Sequence, residues 1–136
     1  MRLIVDTSRI IAALIRDSTS RTILYSQEFE FLTVNFAKSE IAEHKLEIIE
    51  KSRMKESELD QALSMLFSHI QIISDLVIES RIPEARDVMD SVDPDDTLFI
   101  AAALAVENNG IWSDDLHFQR QKKIRIFKTS HLIEMM

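Results

Sequence analysis

The sequence predicts an α/β fold, a parallel β-sheet with helices on both faces, formed by residues 1–136 as a single domain. Three observations predict it. Short apolar runs, Arg2–Val5, Phe31–Val34, Ile70–Ile73, Ile111–Ser113 and Ile124–Phe127, recur along the chain as strands. Segments of helical spacing separate them, and strands joined through helices pair in parallel because each helix carries the chain back across the sheet. A chain of 136 residues, 46% hydrophobic and 29% charged, also has the size and composition of one domain with a proper core.

Taken in order, Arg2–Val5 reads as a buried strand ending at Asp6. Thr7 or Ser8 caps the helix that follows, Ile10–Ile15, which is apolar on too many sides for a surface helix. Ser20–Gln27 is a short helix with Ile23 and Leu24 inward, and Asn35 is the turn after the second strand. Ala37–Arg53 reads as one long helix, with Ile41, Leu46, Ile48 and Ile49 apolar among charges. Glu56–Phe67 is a further amphipathic helix, and Pro83–Met89 a short one. The stretch Ser91–Phe118 sets Asp93, Asp95 and Asp96 at the entrance of an apolar helix. Asn108, Asn109 and Gly110 close that helix, where the only glycine in the chain is expected to supply a positive φ. Asp114 and Asp115 end the next strand, and Ser130–Met136 is a closing helix.

Composition removes several function classes. No apolar run approaches the about 20 residues of a membrane span. The apolar start MRLIVDTS is too short for a signal peptide, so a cytoplasmic protein is expected. Without cysteine there is neither a disulfide framework nor a thiolate zinc site. One glycine cannot build a glycine-rich phosphate loop, which sets aside P-loop NTPases and dinucleotide-binding folds. The net charge of −7 argues against binding nucleic acid through the overall field. Yet Leu116–His131 carries Arg120, Lys122, Lys123, Arg125 and Lys128 with no acid, which suits either a solvated edge or a polyanionic substrate.

The candidate chemistry lies in carboxylates. Asp6 follows the first strand, Glu40 lies early in the helix after the second, Asp96 opens the apolar helix, and Asp115 follows a later strand. Each alone has a plain explanation, as an N-cap or as an acid favoured near a helix N-terminus. Together they can face one crevice at the carboxyl edge of a parallel sheet, where ligands bind. Clustered acids repel one another unless a cation sits among them, and oxygen-only ligation suits Mg2+ or Mn2+.

These residues resemble those of the PIN-domain nucleases, over essentially the whole chain. The resemblance is carried by Ile4-Val5-Asp6-Thr7-Ser8, by Ser39-Glu40-Ile41, by Asp96-Thr97 with its alanine-rich helix, and by Ser113-Asp114-Asp115-Leu116-His117-Phe118. It implies a PIN-like three-layer α/β/α fold and Mg2+- or Mn2+-dependent hydrolysis of RNA phosphodiesters. Asp6, Asp96 and Asp115 would hold the metal, with Glu40 a ligand or positioning group. Asp114 stands where the family often has Arg or Asn, so either aspartate could serve; the spacing to Phe118 favours Asp115. Ser8 and Ser113 are candidates to hydrogen-bond the ligands. Many relatives are toxins that act as homodimers and are held by an antitoxin protein. Of the histidines, His44 sits four residues from Glu40 but reads as a solvent contact, and His117 is placed to touch a phosphate. A receiver-type phosphoacceptor domain, a haloacid-dehalogenase-type phosphatase and a non-catalytic module that keeps the fold are the competing readings.

Overall fold

The computed structural model describes residues 1–15, 18–89 and 93–136; Ser91 and Val92, with which the acidic stretch begins, lie outside them. Five parallel strands form the centre: β1 (Arg2–Val5), β2 (Glu30–Val34), β3 (Ile70–Ile73), β4 (Gly110–Trp112) and β5 (Ile126–Phe127). Their order is β3-β2-β1-β4-β5. A receiver domain would put β3 beside β1. Here β4 takes that place, which sets the receiver reading aside.

Alternation along each strand sorts the core into two layers. Leu3, Val5, Phe31, Ile70, Trp112 and Phe127 face one way, against α1 (Thr7–Ile15), α2 (Ser18–Tyr25), α5 (Glu56–Phe67) and α9 (Thr129–Met135). Ile4, Leu32, Val34, Ile73 and Ile111 face the other way, against α7 (Ile82–Met89) and α8 (Thr97–Ala105). Both faces are therefore covered, as the continuous apolar strands require. No helix is long and apolar enough to cross a membrane among the described residues.

The long helix expected over Ala37–Arg53 is two. Helix α3 (Asn35–Glu43) starts directly on leaving β2, where a turn is expected at Asn35, and α4 (Lys45–Ser52) follows His44. The His44 N–H is shared between the carbonyls of Glu40 (3.1 Å) and Ile41 (3.2 Å), which tightens the last turn of α3 and redirects the chain. A short helix unseen in the sequence, α6 (Asp75–Glu79), fills the path between β3 and α7.

Gly110 is also placed differently from expectation. Helix α8 ends at Ala105, and its last carbonyls are met by Asn108, whose Nδ2 donates to Ala103 O (2.8 Å) and Val106 O (2.7 Å). Gly110 instead opens β4 at φ +147°, where a Cβ would stand 2.4 Å from Arg125 O and 2.8 Å from Phe127 Cε2. Close approach of β5 and a left-sided φ both demand glycine here. Gly110→Ala is expected to destabilise the chain by about 2 kcal/mol or more. The measurement is the urea midpoint at unchanged slope; a midpoint equal to the parent's would show that β5 gives way to the methyl group.

Candidate metal centre

Strand register builds the site. Ile4 pairs with Ile111 and Val5 with Trp112, so the following residues, Asp6 and Ser113, leave the sheet side by side. The Asp6 N–H continues the ladder to Trp112 O (3.3 Å), and the Ser113 N–H to Phe127 O (3.0 Å). Asp6 is 5% exposed. Its Oδ1 accepts the Arg9 N–H at 2.9 Å, so Asp6 itself, rather than Thr7 or Ser8, caps α1. Its Oδ2 accepts the Ser113 hydroxyl. Burial outweighs these bonds and the nearby Arg9 charge, and lifts the Asp6 carboxyl to about 6.

Asp96 reaches the same place through a 3-10 turn, Pro94–Asp96, that leads into α8. The Asp93 side chain accepts the Asp95 N–H at 3.0 Å and fixes that turn. The Asp96 side chain is 14% exposed. Its Oδ2 is buried without a hydrogen-bond partner. Burial first, then the charges of Asp93 and Asp115, push its carboxyl up to about 7.

Ser113 ties Asp115 to Asp6, because its hydroxyl oxygen also accepts the Asp115 N–H at 3.0 Å. Asp115 Oδ1 accepts the His117 N–H at 2.9 Å, which bends the chain around the site. Asp114 turns away. It lies 3.0 Å from Arg9 Nη1 and accepts from Thr129 N (2.8 Å) and Thr129 Oγ1 (2.6 Å). Of the two aspartates left open by the sequence, Asp115 is the one whose charge acts on Asp6 and Asp96.

Glu40 stands at the flank. Thr7 Oγ1 donates to its Oε1 at 2.6 Å, and burial raises its pKa against that bond, with Asp95 its strongest like-charged neighbour. The structure thus brings Asp6, Asp96 and Asp115 together and connects Glu40 to them through Thr7, which follows Asp6 in the chain. His44 pairs with Glu47 at 3.3 Å, in solvent.

Two further side chains enter the group. Donor atoms of Asp93, Asp96 and His117 all lie within 4.8 Å of one another, an arrangement able to hold a metal ion. Asp93 ranks behind Asp96 in the sequence because it lacks the adjoining helix, and a histidine two residues past Asp115 carries no ligand signature of its own. Among the described residues, no lysine or arginine comes within ion-pair distance of Asp96, Asp115 or Glu40. The donor set of carboxylates, an orphaned buried oxygen among them, fits a hard dication. Of the basic segment, Lys123 pairs with Glu84 (3.3 Å) and Arg125 lies over Phe127 (4.5 Å), whereas Lys128 follows β5 at the site's own edge. Trp112 is fully buried in the sheet, against Phe31.

The family model described as PIN domain matches residues 4–128 of the chain. No curated protein matches it in sequence.

Both raised carboxyls start from about 3.8 in the open chain. Between about pH 4 and 7 the folded chain therefore holds more protons than the unfolded one, and stability falls as pH rises across that window. Asp96→Asn is expected to melt a few degrees above the parent in chelator at about pH 7.5, with the gap closing near pH 4. A gap that stays constant over that range in thermal melts would show that charge is not its cause.

Proposed function

This chain belongs to the PIN domain family, and from that we propose that it is a Mg2+- or Mn2+-dependent ribonuclease that hydrolyses RNA phosphodiester bonds. PIN domains are generally nucleases. For this chain, one observation carries the reading: the Asp96 Oδ2 atom is buried and unpartnered among Asp93, Asp115 and Asp6, and among the described residues no lysine or arginine lies within ion-pair distance of Asp96 or Asp115. Such a concentration of charge is costly in the isolated protein and favourable around a dication.

Asp6, Asp96 and Asp115 would hold the cation, with Glu40 at the flank as a ligand or positioning group. A bound Mg2+ or Mn2+ supplies Lewis acidity, activating water and offsetting charge on phosphate oxygens. The protein's share is orientation. Ser113 and the Arg9 N–H fix both oxygens of Asp6, and Ser113 also receives the Asp115 N–H, so one hydroxyl fixes the Asp6 carboxylate and the backbone that carries Asp115. Thr7 holds Glu40 towards the same edge. Carboxyls poised at about 6 and about 7 would give up their protons as the dication arrives. Lys128, just past the end of β5, would meet the RNA backbone, whose phosphates an otherwise acidic protein would repel.

The same reading extends to a toxin of a toxin–antitoxin pair, working in the cytoplasm as a homodimer. Its support is the family likeness.

Cleavage of a mixed RNA pool in Mg2+ or Mn2+ is the test. Asp6→Asn, Asp96→Asn and Asp115→Asn are each expected to lower the rate about a hundredfold or more. Ser113→Ala should lower it about tenfold to a hundredfold. Asp114→Asn should weaken folding through Arg9 and Thr129 yet keep most activity per folded molecule. Parent protein that cuts no RNA with either ion, or an Asp6→Asn variant as active as the parent, would refute the assignment.

A further inference from the structure

We propose that His117 donates a ring nitrogen to the divalent cation held beside Asp93 and Asp96, and that this donor biases the site from Mg2+ towards Mn2+ and later first-row ions. The inference rests on the metal-dependent part of the reading above and is independent of RNA being the substrate. His117 Nδ1 lies 3.6 Å from Asp93 Oδ2, 3.6 Å from Asp96 Oδ2 and 3.7 Å from Asp115 Oδ1. It is shut off from solvent and has no hydrogen-bond partner, and the same is true of Asp96 Oδ2 opposite it.

Neither protonation state of this nitrogen finds a hydrogen bond in the protein alone, although three carboxylates lie within ion-pair reach of it. As an N–H it would need an acceptor within about 3.2 Å, and three carboxylates surround it without one forming that bond. As a lone pair it faces oxygen lone pairs, which is repulsive. With the ring proton on Nε2, a cation between them gives the Nδ1 lone pair and the Asp96 oxygen a common partner. Two donors bound about 2.1 Å from one ion stand about 3.0–3.6 Å apart when the angle between them is 90–120°, which is the separation of Nδ1 from the Asp93 and Asp96 oxygens.

The backbone that carries the ring is also held in place before any ion arrives. The His117 N–H is bonded to Asp115 Oδ1 at 2.9 Å. The next residue, Phe118, is 1% exposed and packs edge-on to Phe99 of α8 at 6.3 Å. His117 therefore hangs between the Asp115 turn and the helix that Asp96 introduces, on rigid supports rather than on a free loop. A nitrogen among oxygens changes the preference of the site. Mg2+ favours oxygen and water, whereas imidazole binds progressively better from Mn2+ through Co2+ to Ni2+.

Calorimetric titration of the intact chain with Mg2+, Mn2+ and Co2+ tests this, alongside pulsed electron spin resonance of the Mn2+-loaded protein. The parent should show nitrogen hyperfine coupling to Mn2+. His117→Ala and His117→Gln should abolish that coupling and weaken Mn2+ and Co2+ binding about tenfold or more, while Mg2+ affinity stays within about twofold. Both variants are expected to fold, since the ring is 40% exposed and the structural hydrogen bond uses the backbone. Absent nitrogen coupling in the parent, or an equal change for all three ions, overturns the assignment and leaves the nuclease reading intact. Nitrogen coupling in a protein that cuts no RNA upholds the ligand and removes the nuclease.

Discussion

The pairing of β1 with β4 is the constraint from which the site follows. Val5 opposite Trp112 leaves Asp6 opposite Ser113, and a one-residue slip would turn every side chain of the strand to the other face. Apolar faces hold the register: Leu3 and Val5 belong to one core layer and Ile4 to the other, all fully buried. The hydrophobic effect, which is indifferent to carboxylates, thereby sets an aspartate beside a serine at the sheet's carboxyl edge. Gly110 takes part because β5 approaches too closely for any Cβ.

Charge works against that frame. Asp6 loses most of its water, and Asp96 is pushed up by burial and by its neighbours Asp93 and Asp115. Buried acids are ordinarily matched by bases, and this chain has one close at hand in Arg9. Its guanidinium is instead directed to Asp114 and, through Thr129, towards the start of α9. Two acids adjacent in sequence thus have opposite duties: Asp114 ties down the periphery, and Asp115 adds to the negative notch. Stability is surrendered locally at the place where a ligand can restore it.

Most of the architecture was legible because strands and helices announce themselves through short-range apolar periodicity. The strand runs, the alternation, the acidic turn before α8 and the acids at strand ends all depend on residues close in sequence. The family match over residues 4–128 agrees with that reading. What went astray had non-local causes. A break at His44 arises from a shared backbone hydrogen bond that no side chain advertises, and α6 is too short for a period to emerge. Gly110 reads as a helix end from its neighbours, because local sequence cannot report that another strand lies against it.

The sequence by itself determined an α/β sheet domain, the carboxylates Asp6, Glu40, Asp96 and Asp115 at its turns, and the lack of cysteine or glycine-rich alternatives to them. Tertiary structure alone decided which of Asp114 and Asp115 faces the notch, that Asp6 is its helix's own cap, that Glu40 stays at the flank, and that Asp93 and His117 join the group. The physical reason is that position along a chain fixes a residue's secondary structure through neighbours a few residues away. The direction of a side chain's charge, and the company it keeps, depend on strands and helices that meet only after the chain has folded.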